Sequence, residues 1–319
     1  GEFTRRAFFN GRMELAQAEG LGDLLEAETE VQRSAALANA SGALSQQIIG
    51  WRDAVLRLSA QVEAALDFSD EGDVDGLPDG FTWNTEQLRE SLNEWLQRPR
   101  SDKLGAGFRV VLAGPPNAGK STLFNALIES EAAITSSIAG TTRDVIERNV
   151  ALGGVPFSFV DTAGLRQESA DAIERIGIER ANDELDRADV VLWLGGEGEG
   201  PGGSWEIAAR CDARDFRPKE AARHHVSAQT GEGLTALKAD LIKIAQNIVP
   251  KPGEAMLNAR QHGLLQMAHD ALSGASALDD PLLIAEELRS VRVSFDQMIG
   301  KTTTEDMLDA LFGRFCIGK

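Results

Sequence analysis

The tract Gly114-Pro115-Pro116-Asn117-Ala118-Gly119-Lys120-Ser121 has the spacing G-x-x-x-x-G-K-[ST] of a phosphate-binding loop. Glycines at those positions let successive backbone N–H groups curl around phosphate oxygens. Lys120 adds a point charge toward the outer phosphates, and the Ser121 hydroxyl suits Mg²⁺. Asn117, Ala118, Gly119, Lys120, Ser121 and Thr122 are therefore the first group of nucleotide contacts. A second group follows a short apolar run: Asp161-Thr162-Ala163-Gly164. A carboxylate at a strand end can hold the Mg²⁺ shell, and the Gly164 N–H can meet the terminal phosphate. Between them, Gly140-Thr141-Thr142-Arg143-Asp144 sits where a switch segment needs a hydroxyl for the same ion, and Thr142 is the candidate.

The base is read less cleanly. Guanine readers present Asn-Lys-x-Asp after the fifth strand; the stretch here is Ala209-Arg210-Cys211-Asp212, which keeps only the Asp. Downstream, Ser227-Ala228-Gln229-Thr230-Gly231 fits the loop that backs the base. Together these favour GTP and GDP over adenine nucleotides. After Asp161–Gly164, where Ras-type enzymes place a water-orienting Gln, stands Leu165, which cannot orient water.

The elements that must hold these residues follow from periodicity. From Gly107 onward, short apolar runs alternate with helical segments. Strands are expected at Arg109–Ala113, Val145–Val150, Val155–Val160, Val190–Leu194, Ile207–Cys211 and His224–Val226. Helices are expected at Leu123–Leu127, Ala172–Leu185 and Leu234–Ile248. This alternation implies an α/β layer with a largely parallel sheet. Gly153-Gly154 would turn an antiparallel hairpin at one edge. On either side the texture is helical. Val55, Leu58, Val62 and Ala65 recur at helical spacing, Asp67–Trp83 reads as a loop, and Thr85–Gln97 resumes the helix until Arg98-Pro99. After Pro250 the chain is helical again, with one apolar stripe at Ile284, Leu288, Val291, Phe295 and Met298. The expected fold is an α/β P-loop GTPase (Ras-like) domain inserted into an all-α helical domain. Residues 12–104 and 251–319 form the helical parts and 105–250 the GTPase domain.

Composition narrows the partners. The 319-residue chain is 42% hydrophobic and 26% charged, with a formal net charge of −18. A chain this acidic is poorly suited to grip a phosphate backbone alone. Cys211 and Cys316 are the only cysteines, which suits a reducing cytosol, and no apolar run approaches the roughly 18 residues of a membrane span.

These motifs resemble one family, the tRNA-modification GTPase MnmE, also called TrmE. The resemblance rests on Gly1-Glu2-Phe3-Thr4, Ala7-Phe8, Leu15–Glu19, Gly114–Thr122, Gly140–Asp144, Asp161–Arg166, Ile173–Arg180 and the last four residues, Cys316-Ile317-Gly318-Lys319. It implies that K⁺ replaces an arginine finger, held by Asn117 and by Ser136, Ile138 and Thr141. The loop Ser136, Ser137, Ile138, Ala139, Gly140, Thr141 and Thr142 would line the nucleotide. It also implies that Glu174 orients the attacking water, although alone this residue reads as a solvated helix position. Arg12 and Lys319 match basic positions near a folate pocket, and Cys316 gains a functional role. Residues 1–11 would be the last part of an N-terminal domain that binds 5-formyltetrahydrofolate and dimerises. The implied function is GTP hydrolysis that drives modification of the wobble uridine of certain tRNAs. It would act in the cytoplasm, as a homodimer, with a flavin-dependent partner that carries much of the tRNA grip and leaves a carboxymethylaminomethyl-type group. Two other readings stand beside it. A ribosome-assembly GTPase of the Era or Der type would need a basic RNA module that is not visible. A non-hydrolysing nucleotide-binding scaffold is favoured by Leu165 and the incomplete guanine motif, and opposed by Lys120, Asp161 and Glu174.

Overall fold

The computed structural model describes residues 1–67, 77–129, 146–162, 182–214, 216, 218–251, 253–301, 308 and 311–313. The chain divides into two compact units, Gly1–Asp102 with Pro250–Lys319, and Lys103–Val249.

The second unit is an α/β layer. Its six-stranded sheet runs β2-β3-β1-β4-β5-β6. The strands are β1 (Phe108–Ala113), β2 (Ile146–Leu152), β3 (Val155–Asp161), β4 (Val190–Trp193), β5 (Trp205–Ala209) and β6 (His224–Val226). β2 and β3 pair antiparallel and every other neighbouring pair is parallel. The expected hairpin forms at Gly153 and Gly154, whose φ angles of 57° and 81° suit the tight turn that matches strand twist. β1 lies inside the sheet and buries both faces. Phe108, Val110 and Leu112 join Phe157 and Phe159 in a core shared with two helices, α7 (Lys120–Glu129) and α8 (Leu234–Ala245). Leu123, Phe124 and Leu127 supply the inner face of α7, and Leu237, Leu241 and Ala245 that of α8.

The fifth strand is displaced from the sequence expectation. β5 spans Trp205–Ala209 instead of Ile207–Cys211. It stops because Arg210 turns into the left-handed region at φ 61°. Parallel strands usually join through a crossover helix. β4 and β5 join instead through a helix-free loop, residues 194–204. This loop is tied down by the Glu197 carboxylate, which accepts from the Glu220 and Ala221 N–H groups at 3.1 and 2.6 Å. Of the helix expected at Ala172–Leu185, residues 172–181 lie outside the described residues, and 182–187 are helical.

The first unit is helical: α1 (Glu2–Phe9), α2 (Leu15–Glu26), α3 (Glu30–Ala40), α4 (Ala43–Asp67) and α5 (Phe81–Leu96), then α9 (Ala259–Ser276) and α10 (Pro281–Ile299). A short helix, α6 (Ser101–Ala106), precedes β1. The stripe Ile284, Leu288, Val291, Phe295 and Met298 is fully buried, and so are Val55 and Val62 of α4. Phe295 stacks on Trp51 with ring centroids 5.9 Å apart, and Trp51 meets Trp95 edge-on at 5.5 Å. Buried Asn39 holds the backbone of Met256, giving its amide N–H to the Met256 carbonyl at 2.9 Å and accepting the Met256 N–H at 3.2 Å. α5 begins at Phe81, earlier than the loop expected through Trp83. Phe81 is buried, whereas Trp83 stands on the exposed face and so falls outside the apolar periodicity. No helix among the described residues is long and apolar enough to cross a membrane.

Candidate nucleotide-binding site

The loop from Gly114 to Gly119 leaves the carboxyl end of β1 and enters α7 at Lys120, so the amino end of that helix faces the loop. Gly114 adopts φ 147° and Gly119 φ 94°. A Cβ on Gly114 would lie 3.0 Å from the Gly195 nitrogen, and one on Gly119 would lie 3.3 Å from the Arg210 side chain. Both glycines are thus required by conformation and by close neighbours. Lys120 is 5% exposed. Its ammonium donates to the carbonyls of Gly114 at 3.0 Å and Pro115 at 2.8 Å, so the charge is held inside the curl of the loop. Ser121 and Thr122 are exposed on the first turn of α7, and Ala118 is half-buried under the loop.

The sheet register brings the second motif alongside. Leu112 of β1 pairs with Asp161 of β3, which sets the Asp161 carboxylate one residue short of the phosphate loop on the neighbouring strand. Asp161 and Thr162 are both buried, and the Thr162 hydroxyl donates to the Leu112 carbonyl at 2.9 Å. That bond fixes where the chain leaves β3.

The residues expected to read the base meet the loop in a cavity of about 280 Å³ lined by Gly119, Thr122, Ala209, Arg210, Asp212 and Ala228, among others. Gln229 also lines it. Ser227 is fully buried behind it; its hydroxyl accepts the Thr230 N–H at 3.1 Å, and its backbone bonds to Glu232 and Gly231 close the turn. Gly233 must be glycine there, because a Cβ would lie 2.0 Å from the His225 carbonyl oxygen. Burial pushes the Cys211 thiol up, and the carboxylates of Glu232 and Asp212 push it further, so this thiol stays neutral.

Arg210 is the site residue that the motif reading left out. Among the described residues, Asn117 and Arg210 are the two non-glycine positions with positive φ, at 62° and 61°. One sits in the phosphate loop and the other walls the cavity, with its aliphatic stem packed over Gly119. Such conformations cost on the order of 1–3 kcal/mol and gather at binding sites. The available signal was position: Arg210 fills the Lys place of the Asn-Lys-x-Asp pattern. A larger cavity, about 630 Å³, lies at the opposite end of the strands beside Asp189, Val190 and Ser204, away from the carboxyl ends where open α/β sheets bind ligands.

Comparison with known proteins gives the lineage. The family model described as the MnmE helical domain matches residues 15–316. The tRNA modification GTPase MnmE of Erythrobacter litoralis is 59% identical over 319 residues, covering all of this chain and 75% of that protein. The protein of the same name in Novosphingobium aromaticivorans is 58% identical over 330 residues, covering all of this chain and 76% of its own length. The chain belongs to the MnmE family. Among solved structures, the G domain of the T. maritima FeoB iron transporter aligns with 43% of this chain and 98% of its own, at 26% identity and a TM-score of 0.31, which is too low to bear on the fold.

Several residues that the MnmE resemblance points to lie outside the described residues: Ser136, Ser137, Ile138, Ala139, Gly140, Thr141 and Thr142, then Ala163, Gly164, Leu165 and Glu174, and finally Cys316 and Lys319. Arg12 is exposed just before α2, with its backbone N–H on the Ala7 carbonyl at 2.9 Å. Near it, Leu15 and Ala18 of α2 pack with Leu308 and Phe312, so the MnmE helical unit gathers both ends of the chain in one apolar cluster.

Proposed function

We propose that this chain binds and hydrolyses GTP as a tRNA-modification GTPase. The observation that carries this reading is the junction of a left-handed phosphate loop with a cavity walled by Arg210 and Asp212. The loop supplies N–H groups and the Lys120 charge to phosphates. Asp212, which lines the cavity, would accept from the ring N–H and amino group of guanine, which adenine cannot offer in the same pattern.

The donor set fits hard cations. Ser121 offers an exposed hydroxyl at the start of α7, and Asp161 a carboxylate on the adjacent strand, both oxygen donors of the kind Mg²⁺ takes. Ser121 and Thr142 would hold that ion, which would neutralise phosphate charge when bound. Asn117 offers an exposed amide oxygen for K⁺, with Ser136, Ile138 and Thr141 as its partners. Potassium, when bound, would supply the positive charge of an arginine finger. Glu174 would orient the attacking water, the task Leu165 cannot perform. Family membership supports the remaining parts. These are action on the wobble uridine with a flavin-dependent partner, a homodimer, and 5-formyltetrahydrofolate near Arg12 and Lys319, with Cys316 close by in sequence.

A binding titration with GTP and ATP, followed by single-turnover hydrolysis in KCl and in NaCl at equal ionic strength, tests the reading. GTP should bind tighter than ATP. Hydrolysis should be faster in K⁺, and Asn117→Ala should erase that difference. ATP binding as tightly as GTP would remove the guanine assignment, and equal rates in the two salts would remove the potassium assignment. Glu174→Ala should slow the chemical step by roughly 10²-fold with little change in affinity, the scale of a lost water-positioning group.

A further inference from the structure

At the end of the sheet remote from the phosphate loop, one guanidinium on β1 joins β2, β3 and the helical stretch 182–187. Arg109 is the second residue of β1. Phe108, Val110 and Leu112 turn into the core, and Arg109 projects from the opposite face. Its Nη1 donates to Glu147 Oε1 at 3.0 Å and to the Ser158 hydroxyl at 3.3 Å, and its Nη2 donates to Glu147 Oε2 at 3.2 Å. Its Nε donates to Glu184 Oε2 at 2.9 Å, and Nη2 reaches the same oxygen. Ser158 closes the circuit by donating to Glu147 Oε1 at 2.6 Å. The backbone of Arg109 is pinned as well, its N–H on Asp189 Oδ2 at 2.8 Å and its carbonyl accepting the Asp189 N–H at 2.9 Å. The pair is sheltered: Arg109 is 20% and Glu184 12% exposed in the side chain. Burial works against the charged form of Arg109, but the hydrogen bonds to Glu147 and Glu184 outweigh it and raise its pKa, while that of Glu147 is lowered.

The sequence positions give this network its meaning. Glu147 lies at the start of β2, directly after segment 130–145, which contains Thr141 and Thr142. Ser158 lies on β3, which delivers Asp161, and Glu184 lies in the helical stretch directly after segment 163–181, which contains Glu174. β1 itself delivers the phosphate loop. A planar fork with five N–H donors makes all five of these side-chain bonds at once, which the three donors of a lysine cannot.

We propose that Arg109 is a positioning residue that yokes the strand after one switch segment to the helix after the other, so that both respond together to the terminal phosphate. It touches no substrate and acts through Glu147, Ser158 and Glu184. The proposal rests on the GTPase reading above. The test is hydrogen exchange on the full chain, comparing GDP with a non-hydrolysable GTP analogue, alongside single-turnover hydrolysis. In the unaltered protein, residues 146–152 and 182–187 should change protection together on exchange of GDP for the analogue. In Arg109→Met, one stretch should keep its response and the other should lose it. The hydrolysis rate should fall about tenfold while GDP affinity stays within about twofold, the split expected of a group that acts only in the activated state. Glu184→Gln, which leaves the Arg109–Glu147 arm in place, should reproduce the split in a variant with less effect on folding. A contact with only a stabilising role would lower the melting temperature and leave both the paired response and the rate-to-affinity split unchanged. That result in either variant, or an unaltered protein in which the two stretches do not respond together, overturns the proposal. An unaltered protein that binds nucleotide but does not hydrolyse GTP would overturn the functional reading instead, and the exchange pairing would still decide the yoke.

Discussion

Lys120 is tied to the loop it serves. Its buried ammonium donates to the Gly114 and Pro115 carbonyls at 3.0 and 2.8 Å. Phosphate oxygens would compete for the same three protons without moving the helix that carries them. Lys120→Met leaves those carbonyls without their donor, a loss of about 1–3 kcal/mol, and removes the charge from the loop. A thermal melt should show both effects: a lower melting temperature without nucleotide, and no rise on adding GDP, where the unaltered protein rises. An undiminished GDP-dependent rise would exclude Lys120 from the phosphate site. Arg210 separates the same two quantities differently. Arg210→Gly removes the packed stem but relieves the positive φ of 61°. Net stability should therefore move by less than about 1 kcal/mol, because strain relief offsets the added freedom of the unfolded chain. GTP affinity should fall several-fold, and the preference over ATP should narrow. Unchanged titrations would show that the stem does not wall the base.

At the scale of elements, the hairpin of β2 and β3 is held to β1 by more than backbone bonds. The Glu147 carboxylate is held below the usual carboxylate range: burial opposes this, and the bonds from Arg109 and Ser158 prevail. A lowered native pKa means that the unfolded chain binds the proton more readily. The stability Glu147 contributes is therefore present above its unfolded pKa of about 4.3 and is lost as pH falls through the lower native value. Glu147→Gln should flatten the acid limb of the stability curve below about pH 4.3 and lower the neutral plateau, as urea melts across acid pH would show. An unchanged acid limb would place Glu147 outside the network. In the helical unit, the stripe on α10 is held by shape instead of charge. Phe295 is fully buried against Trp51, so Phe295→Ala should cost about 3–5 kcal/mol, measured by denaturant unfolding.

For the whole molecule, the two units differ in how sequence maps to space. Residues 103–249 are contiguous and contain the phosphate loop, the cavity beside it and the Arg109 network. The helical unit is built from both ends of the chain. α4 and α5 share one core with α9 and α10, and Glu19 of α2 holds Arg260 of α9 through two bonds of 2.8 Å. A fragment of residues 103–249 should therefore fold cooperatively and bind GDP. A fragment of residues 1–102 should lack a cooperative transition, because its apolar faces lose their partners. Circular-dichroism melts of the two fragments distinguish these outcomes, and a cooperative 1–102 fragment would contradict the shared core.

Much of this was legible in the residues themselves. The phosphate loop, the Asp161 motif and the parallel strands announce themselves locally, because a glycine curl, a helix start and a buried strand each have a short-range signature in residue type and spacing. The stripe on α10 was legible for the same reason, since its period is set by the helix alone. Other features depend on chain segments far apart in sequence, and no local pattern encodes them. Arg210 looked like a flawed motif until the fold laid its stem over Gly119, 91 positions earlier by residue number. The strand it ends stops at Ala209 and not at Cys211 as the apolar run suggests, because periodicity does not reveal one residue held at positive φ. Arg109 carried no signal at all as a lone arginine on a strand. Only the sheet order, which sets β3 beside β1 and brings residues 147, 158 and 184 to one guanidinium, makes it a junction.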